Sequence, residues 1–275
     1  MQLSFSTLGC PAWDLETLLD RGPACGFDGV DFRGLRDQMD ITLLPAFTTG
    51  LESTARRLRD AGLQVSCISS GIRICEPERL EANLAEAART IPVARALGCG
   101  RVRVFGNGDL GARSHGELAD LGRDAMARIL DLDGARDLLW MLESHDHWTR
   151  GADCRLILER VPDPAFGLLW DMGHTTRVGG ETPAQTWDLV AGRVLYAHLK
   201  DAVHEPGHPR AMKDGWRYVP PGTGQLPLAE AIALLRDRAY DGWLMFEHEK
   251  RWHPELEEPE KIFPEFVRWS RPLIG

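Results

Sequence analysis

Short, nearly continuous apolar runs alternate along this chain with longer stretches in which apolar residues recur at helical spacing. The short runs predict buried strands and the longer stretches predict amphipathic helices. Strands are expected over Leu3–Thr7, Gly29–Arg33, Leu63–Ser69, Arg101–Phe105, Leu138–His145, Phe166–Asp171, Val194–Lys200 and Trp243–Glu247. Helices are expected over Asp14–Cys25, Leu51–Ala61, Pro77–Leu97, His115–Leu132, Asp153–Arg160, Pro183–Val190, Leu226–Arg238 and Pro259–Trp269. Asp14 suits an N-cap, Pro183 suits a first turn, and Gly26, Gly62 and Gly98 follow helix ends.

Strands separated by helices need crossover connections and therefore run parallel. Eight such units in 275 residues predict an α/β chain folded as a closed parallel (β/α)8 TIM barrel, a single domain over residues 1–275. An open doubly wound sheet is the competing architecture, but no G-x-G-x-x-G follows the first strand. Leu35–Gly50 and Ala202–Gln225 are irregular and rich in turn residues. Both follow strands, so both are expected on the face where barrel active sites form.

The last four strands end on ionisable residues: Glu143-Ser144-His145, Asp171-Met172-Gly173-His174, His198-Leu199-Lys200 and Glu247-His248-Glu249. A charge directly after an apolar run is costly to bury unless it is paired or binds a metal. Strand ends at the C-terminal face of a barrel converge, so Glu143, Asp171, His198 and Glu247 are expected to meet. Three carboxylates and one imidazole suit one divalent ion, Mn²⁺ first, with Mg²⁺, Co²⁺ or Zn²⁺ as alternatives.

At these residues, and at Gly222-Thr223-Gly224, the chain resembles the xylose isomerase-like barrel superfamily over nearly its whole length. The resemblance implies that Glu143, Asp171, His198 and Glu247 bind the metal. It also implies that Glu143 and Glu247 move protons as acid and base, through an enediolate, on a small sugar or polyhydroxy carbonyl compound. Isomerisation or epimerisation is the expected outcome. Dehydration of an inosose or 3-dehydroshikimate type of compound is the alternative, because His145 matches an E-x-H histidine of several dehydratases. His174, His145 and Lys200 are expected to contact the substrate. Relatives often assemble, so a homo-oligomer is a further expectation.

Arg33 and Arg103 lie in or near strands and are expected to pair with acids on the rim, the alternative being a substrate carboxylate or phosphate. Trp13, Trp148, Trp216 and Trp252 are candidates for aromatic walls or for packing. With 32 basic and 41 acidic residues, the formal charge is −9, which disfavours nucleic acid and anionic membrane and points to a small neutral or weakly charged substrate. The six cysteines are scattered without a C-x-x-C pair, which predicts free thiols in the cytoplasm. No signal-peptide pattern and no membrane-spanning apolar run is evident.

Overall fold

The computed structural model describes residues 1–275. Eight strands close a barrel: β1 (Gln2–Ser6), β2 (Gly29–Phe32), β3 (Gln64–Arg73), β4 (Arg101–Phe105), β5 (Leu139–Glu143), β6 (Phe166–Asp171), β7 (Val194–Leu199) and, last in the chain, β10 (Trp243–Phe246). Each pairs in parallel with its neighbours, and β10 closes the ring between β7 and β1. The expected (β/α)8 TIM barrel is therefore the observed fold.

Side chains alternate between faces along each strand. One set points outward and packs the barrel against its helices. The other points inward, where Cys67, Met141, Leu169, Tyr196, Trp243 and Met245 form a separate apolar plug. Two residues further along their strands, Met141, Leu169, Tyr196 and Met245 give way to Glu143, Asp171, His198 and Glu247. The apolar plug thus floors a polar layer at the C-terminal mouth, which is how barrel interiors fill in tiers.

The helices are α1 (Leu15–Ala24), α2 (Leu51–Asp60), α3 (Leu80–Leu97), α4 (His115–Leu130), α5 (Gly151–Arg160), α6 (Met172–Arg177), α7 (Pro183–Val190), α8 (Leu228–Asp237) and α9 (Pro259–Ile274). Asp14 caps α1 as expected, accepting from the Thr17 amide at 2.9 Å. Capping boxes start α4 at Ser114 and α7 at Thr182. Gly26, Gly62 and Gly98 all take positive φ just past helix ends.

Several boundaries differ from the sequence expectation. Strand β3 continues past Ser69 to Arg73, because the Ser70 hydroxyl is satisfied by the Arg103 carbonyl at 2.6 Å and can stay buried. Strand β5 stops at Glu143 rather than His145, and Asp146 turns the chain with φ 54°. A short extra helix, α6, follows β6 directly, since the Asp171 carboxylate accepts from the His174 amide at 2.9 Å. Helix α9 runs through Pro264 and Pro272 to Ile274 instead of ending at Trp269, carried by the buried stripe Ile262, Phe263, Phe266 and Ser270.

The largest departure lies in Ala202–Gln225. This stretch contributes to an antiparallel hairpin of β8 (Asp201–His204) and β9 (Trp216–Val219) that stands on the barrel mouth. Asp201 anchors it: one carboxylate oxygen accepts from the Gly222 and Gly224 amides at 2.8 and 2.9 Å, and the other from Ala202 at 2.9 Å. A Cβ on Gly224 would lie 2.0 Å from Asp201 Oδ1, so glycine is required there. Gly222-Thr223-Gly224 is thus a carboxylate-gripping turn. No helix is long and apolar enough to cross a membrane.

Candidate metal centre

Glu143, Asp171, His198 and Glu247 meet at the mouth of the barrel. One potential ligand atom from each lies within 4.8 Å of all the others. The sequence places these residues at the ends of β5, β6, β7 and β10. Strand register does the rest, with Glu143 beside Leu169, Asp171 beside His198, and His198 beside Met245.

His198 sits between the two glutamates, its Nδ1 3.5 Å from Glu143 Oε1 and 3.4 Å from Glu247 Oε2. On its other side Nε2 faces Asp31 Oδ2 at 3.9 Å. Both His198 ring nitrogens are buried without a hydrogen bond, and Asp171 Oδ2 and Glu247 Oε2 have no close cation but the shared Lys200 ammonium. Such groups are expensive to leave unpaired. A divalent cation would satisfy the cluster, and the oxygen-rich donor set suits one. The residues present therefore fit a metal.

Two cations of the chain balance the charge from either side. Arg103 Nε lies 3.2 Å from Glu143 Oε2. Lys200 Nζ lies 2.8 Å from Asp171 Oδ2, 2.5 Å from Glu247 Oε2 and 3.2 Å from Glu249 Oε1. Burial alone would raise all the carboxyls. At Glu143 it is outweighed by Arg103 and His198, which hold the group below its usual range. At Glu247 it is outweighed by Lys200 and His198, with the same result. Asp171 keeps the effect of burial, opposed by Lys200, and is pushed up to about 6. Burial opposes the charge on Lys200 too, but Asp171 and Glu247 keep it protonated.

The residues expected to touch substrate divide. His145 is half-buried, lines the mouth cavity and holds Asp146 Oδ1 at 2.7 Å through Nδ1. Its ring stands 4.7 Å from that of His174. His174 is buried deeper and both its nitrogens are engaged. Nδ1 faces the Ser144 carbonyl at 3.2 Å, and Nε2 faces the Lys200 ammonium at 3.3 Å. Burial, then Lys200 and His145, push its imidazole well down, so it is neutral. Lys200 does not pair with Asp201, whose carboxylate is spent on the hairpin.

Other expectations are corrected. Arg103 pairs with an acid as expected, Glu143, but inside the barrel rather than on an exposed rim, and it lies 3.7 Å from the Phe105 ring centroid. Arg33 forms no salt bridge. Trp13 and Trp148 belong to the core, their indoles tied to Glu260 and to the Asn107 carbonyl. Trp216 packs on His204 in the hairpin. Trp252 alone of the four lines the mouth cavity, with 55 % exposure. Asp31 and Arg73 were not anticipated near the site, while Glu249 follows from the strand end that carries Glu247. A signal for Arg103 exists, since a charge between Val102 and Val104 on a parallel strand has only the barrel interior to face.

A family model described as xylose isomerase-like TIM barrel matches residues 19–273. The chain belongs to this family. Among solved members of similar fold, the IOLI protein with a bound zinc atom superposes with TM-score 0.82 at 14% identity, covering 100% of this chain and 98% of that one. The probable 3-DHS dehydratase AsbF of Bacillus anthracis gives 0.77 at 16%, covering 98% and 100%. The 3-keto-D-glucoside 4-epimerase YcjR of E. coli, in its apo form, gives 0.77 at 18%, covering 99% of each chain. At these identities the likeness of this xylose isomerase-like barrel to the three structures is one of fold. No curated protein matches its sequence.

Proposed function

We propose that the protein is a divalent-metal-dependent isomerase or epimerase of a small polyhydroxy carbonyl compound. The observation that carries this reading is the convergence of Glu143, Asp171, His198 and Glu247 within 4.8 Å. These four would hold the ion, Mn²⁺ by preference for an oxygen-rich set. A neighbour of the same fold, the IOLI protein, carries a zinc atom, which is consistent with metal binding here. When bound, the ion supplies Lewis-acid charge that polarises a carbonyl oxygen.

The chain's own groups then move the proton. Glu143 and Glu247 flank His198, and both are held ionised at neutral pH, so either is a competent base. One removes the proton beside the carbonyl and becomes an acid. A carboxyl group then returns a proton to the opposite face of that carbon, which epimerises it, or to the adjacent carbon, which isomerises the compound. Arg103 and Lys200 hold the carboxylates in place through the cycle, and His145 faces the cavity where a substrate oxygen would lie.

His145 also favours a second reading, a dehydratase. It lies next to Glu143, and although burial opposes its charge, Asp146 and Glu143 raise its pKa. A charged imidazole there can give its proton to a departing β-hydroxyl while a glutamate takes the α-proton, so that the C–O bond breaks and water leaves. The AsbF and YcjR neighbours represent the two chemistries.

Metal analysis followed by a mass-resolved screen of ketoses, inososes and hydroxypyruvate in D₂O decides between them. An epimerase or isomerase incorporates deuterium at carbon and conserves the skeleton, whereas a dehydratase product lacks one water. Full turnover by chelated protein, or by the Glu143→Gln and Glu247→Gln variants, would refute both readings.

A further inference from the structure

The cavity beside the four converging residues has a volume of about 290 Å³ and is lined by three arginines, Arg33, Arg73 and Arg103. They come from β3, β4 and the turn after β2, so no basic run in the sequence marks them. Two are already partnered. Arg73 faces Glu76 at 3.5 Å, and Arg103 faces Glu143 at 3.2 Å through Nε while keeping Nη1 free of hydrogen bonds.

Arg33 is different. Its guanidinium makes no ion pair and no side-chain hydrogen bond, and its Cζ lies 5.9 Å from the Phe105 ring centroid. The residue is half-buried, and a guanidinium drawn part-way out of water without an ion-pair partner has donors free for a ligand. Burial and the nearby Arg103 charge together push its pKa down to about 10. Glu143, Glu86 and Asp31 favour the charge only from a distance, none of them in an ion pair with it, and Arg33 lines the same cavity as Glu143 and Glu247.

We infer that Arg33, with the unspent donors of Arg103, forms an oxyanion subsite, and that the substrate carries a carboxylate or phosphate group held there while its reacting carbons lie over Glu143 and Glu247. This deepens the function proposed above and rests on it for the position of the reacting carbons. The planar guanidinium fork matches both kinds of oxyanion. The net acidity of the chain does not oppose it, because a local cluster of charge governs a cleft.

The test uses one sugar core with three groups at its end: glucose, glucuronate and glucose 6-phosphate. Binding to the Mn²⁺-loaded protein is measured by calorimetry, with Mn²⁺ binding measured separately without sugar. The subsite predicts that at least one anionic sugar binds about tenfold or more tighter than glucose, and which one identifies the group. Arg33→Gln erases that preference and leaves Mn²⁺ affinity unchanged. Thermal melting gives a second readout that needs no ligand. Arg33→Met, which removes a charge that makes no ion pair or side-chain hydrogen bond, leaves the Tm in buffer free of binding anions unchanged or raised, whereas loss of a structural arginine would lower it. Equal affinities for the three sugars, binding of none, an anion preference that survives Arg33→Gln, or a lowered Tm each overturns the subsite. Failure of Mn²⁺ to bind the wild type would instead strike the function on which it rests.

Discussion

Arg103 and Glu143 form an ion pair inside the barrel, Nε to Oε2 3.2 Å, with 4% and 2% of their side chains exposed. Breaking one half of such a pair strands the other charge, at a cost of roughly 3–5 kcal/mol. Arg103→Met is therefore expected to destabilise the metal-free protein by about that amount. Adding Mn²⁺ should restore part of the loss, since the ion offers Glu143 a new counter-charge. Denaturant melts with and without Mn²⁺ check this; an equal loss in both would show that Glu143 does not share its charge with a metal.

Chelation provides an independent check on the four converging residues. A ligand that binds only the folded state, present at a hundred times its Kd, adds about 2.7 kcal/mol of stability. Mn²⁺ at that level should raise the Tm of the wild type, and chelator should reverse the rise. His198→Gln and Glu247→Gln should show almost none of it. A Mn²⁺ shift of full size in both variants would place the ion elsewhere.

Asp201 ties the hairpin to the barrel through the amides of Ala202, Gly222 and Gly224. Asp201→Ala leaves these donors without their acceptor, at a cost of about 1–3 kcal/mol for each one that water cannot reach. The Gly222 and Gly224 amides are expected to exchange with D₂O about fivefold or more faster in the variant, the smallest loss in that range. Tyr218 of the hairpin and Glu247 line one cavity, so KM should rise as well. Unchanged exchange at both glycines would contradict the anchor.

His248 sets a pH dependence of stability. It is 7% exposed, and its Nε2–H donates to the Glu257 carbonyl at 2.8 Å. Burial pushes its pKa from 6.5 down to about 4. Above pH 6.5 neither folded nor unfolded chain protonates it, and its full contribution is present. Between 6.5 and 4 only the unfolded chain takes the proton, so stability falls as pH falls. The total effect is about 3 kcal/mol at most. His248→Gln should lose less stability than the wild type over this window; parallel curves would remove His248 as the cause.

The sequence by itself determined the barrel and the four polar residues that converge at its mouth. Apolar runs of strand length alternating with amphipathic helices allow few architectures, and a charge ending an apolar strand betrays a polar pocket wherever that strand leads. Glu143, Asp171, His198 and Glu247 were legible for that reason. The tertiary structure alone decided which other groups join them. Arg33 and Arg73 lie in a turn and at a strand end, where the path of the chain beyond the last ladder bond sets the direction of the side chain. The same rule sent Trp13 and Trp148 into the core. The α6 helix and the β8–β9 hairpin depend on single carboxylates, Asp171 and Asp201, reaching backbone amides nearby. Sequence periodicity records the face a residue takes within an element; it carries no record of what stands opposite that face once the barrel closes.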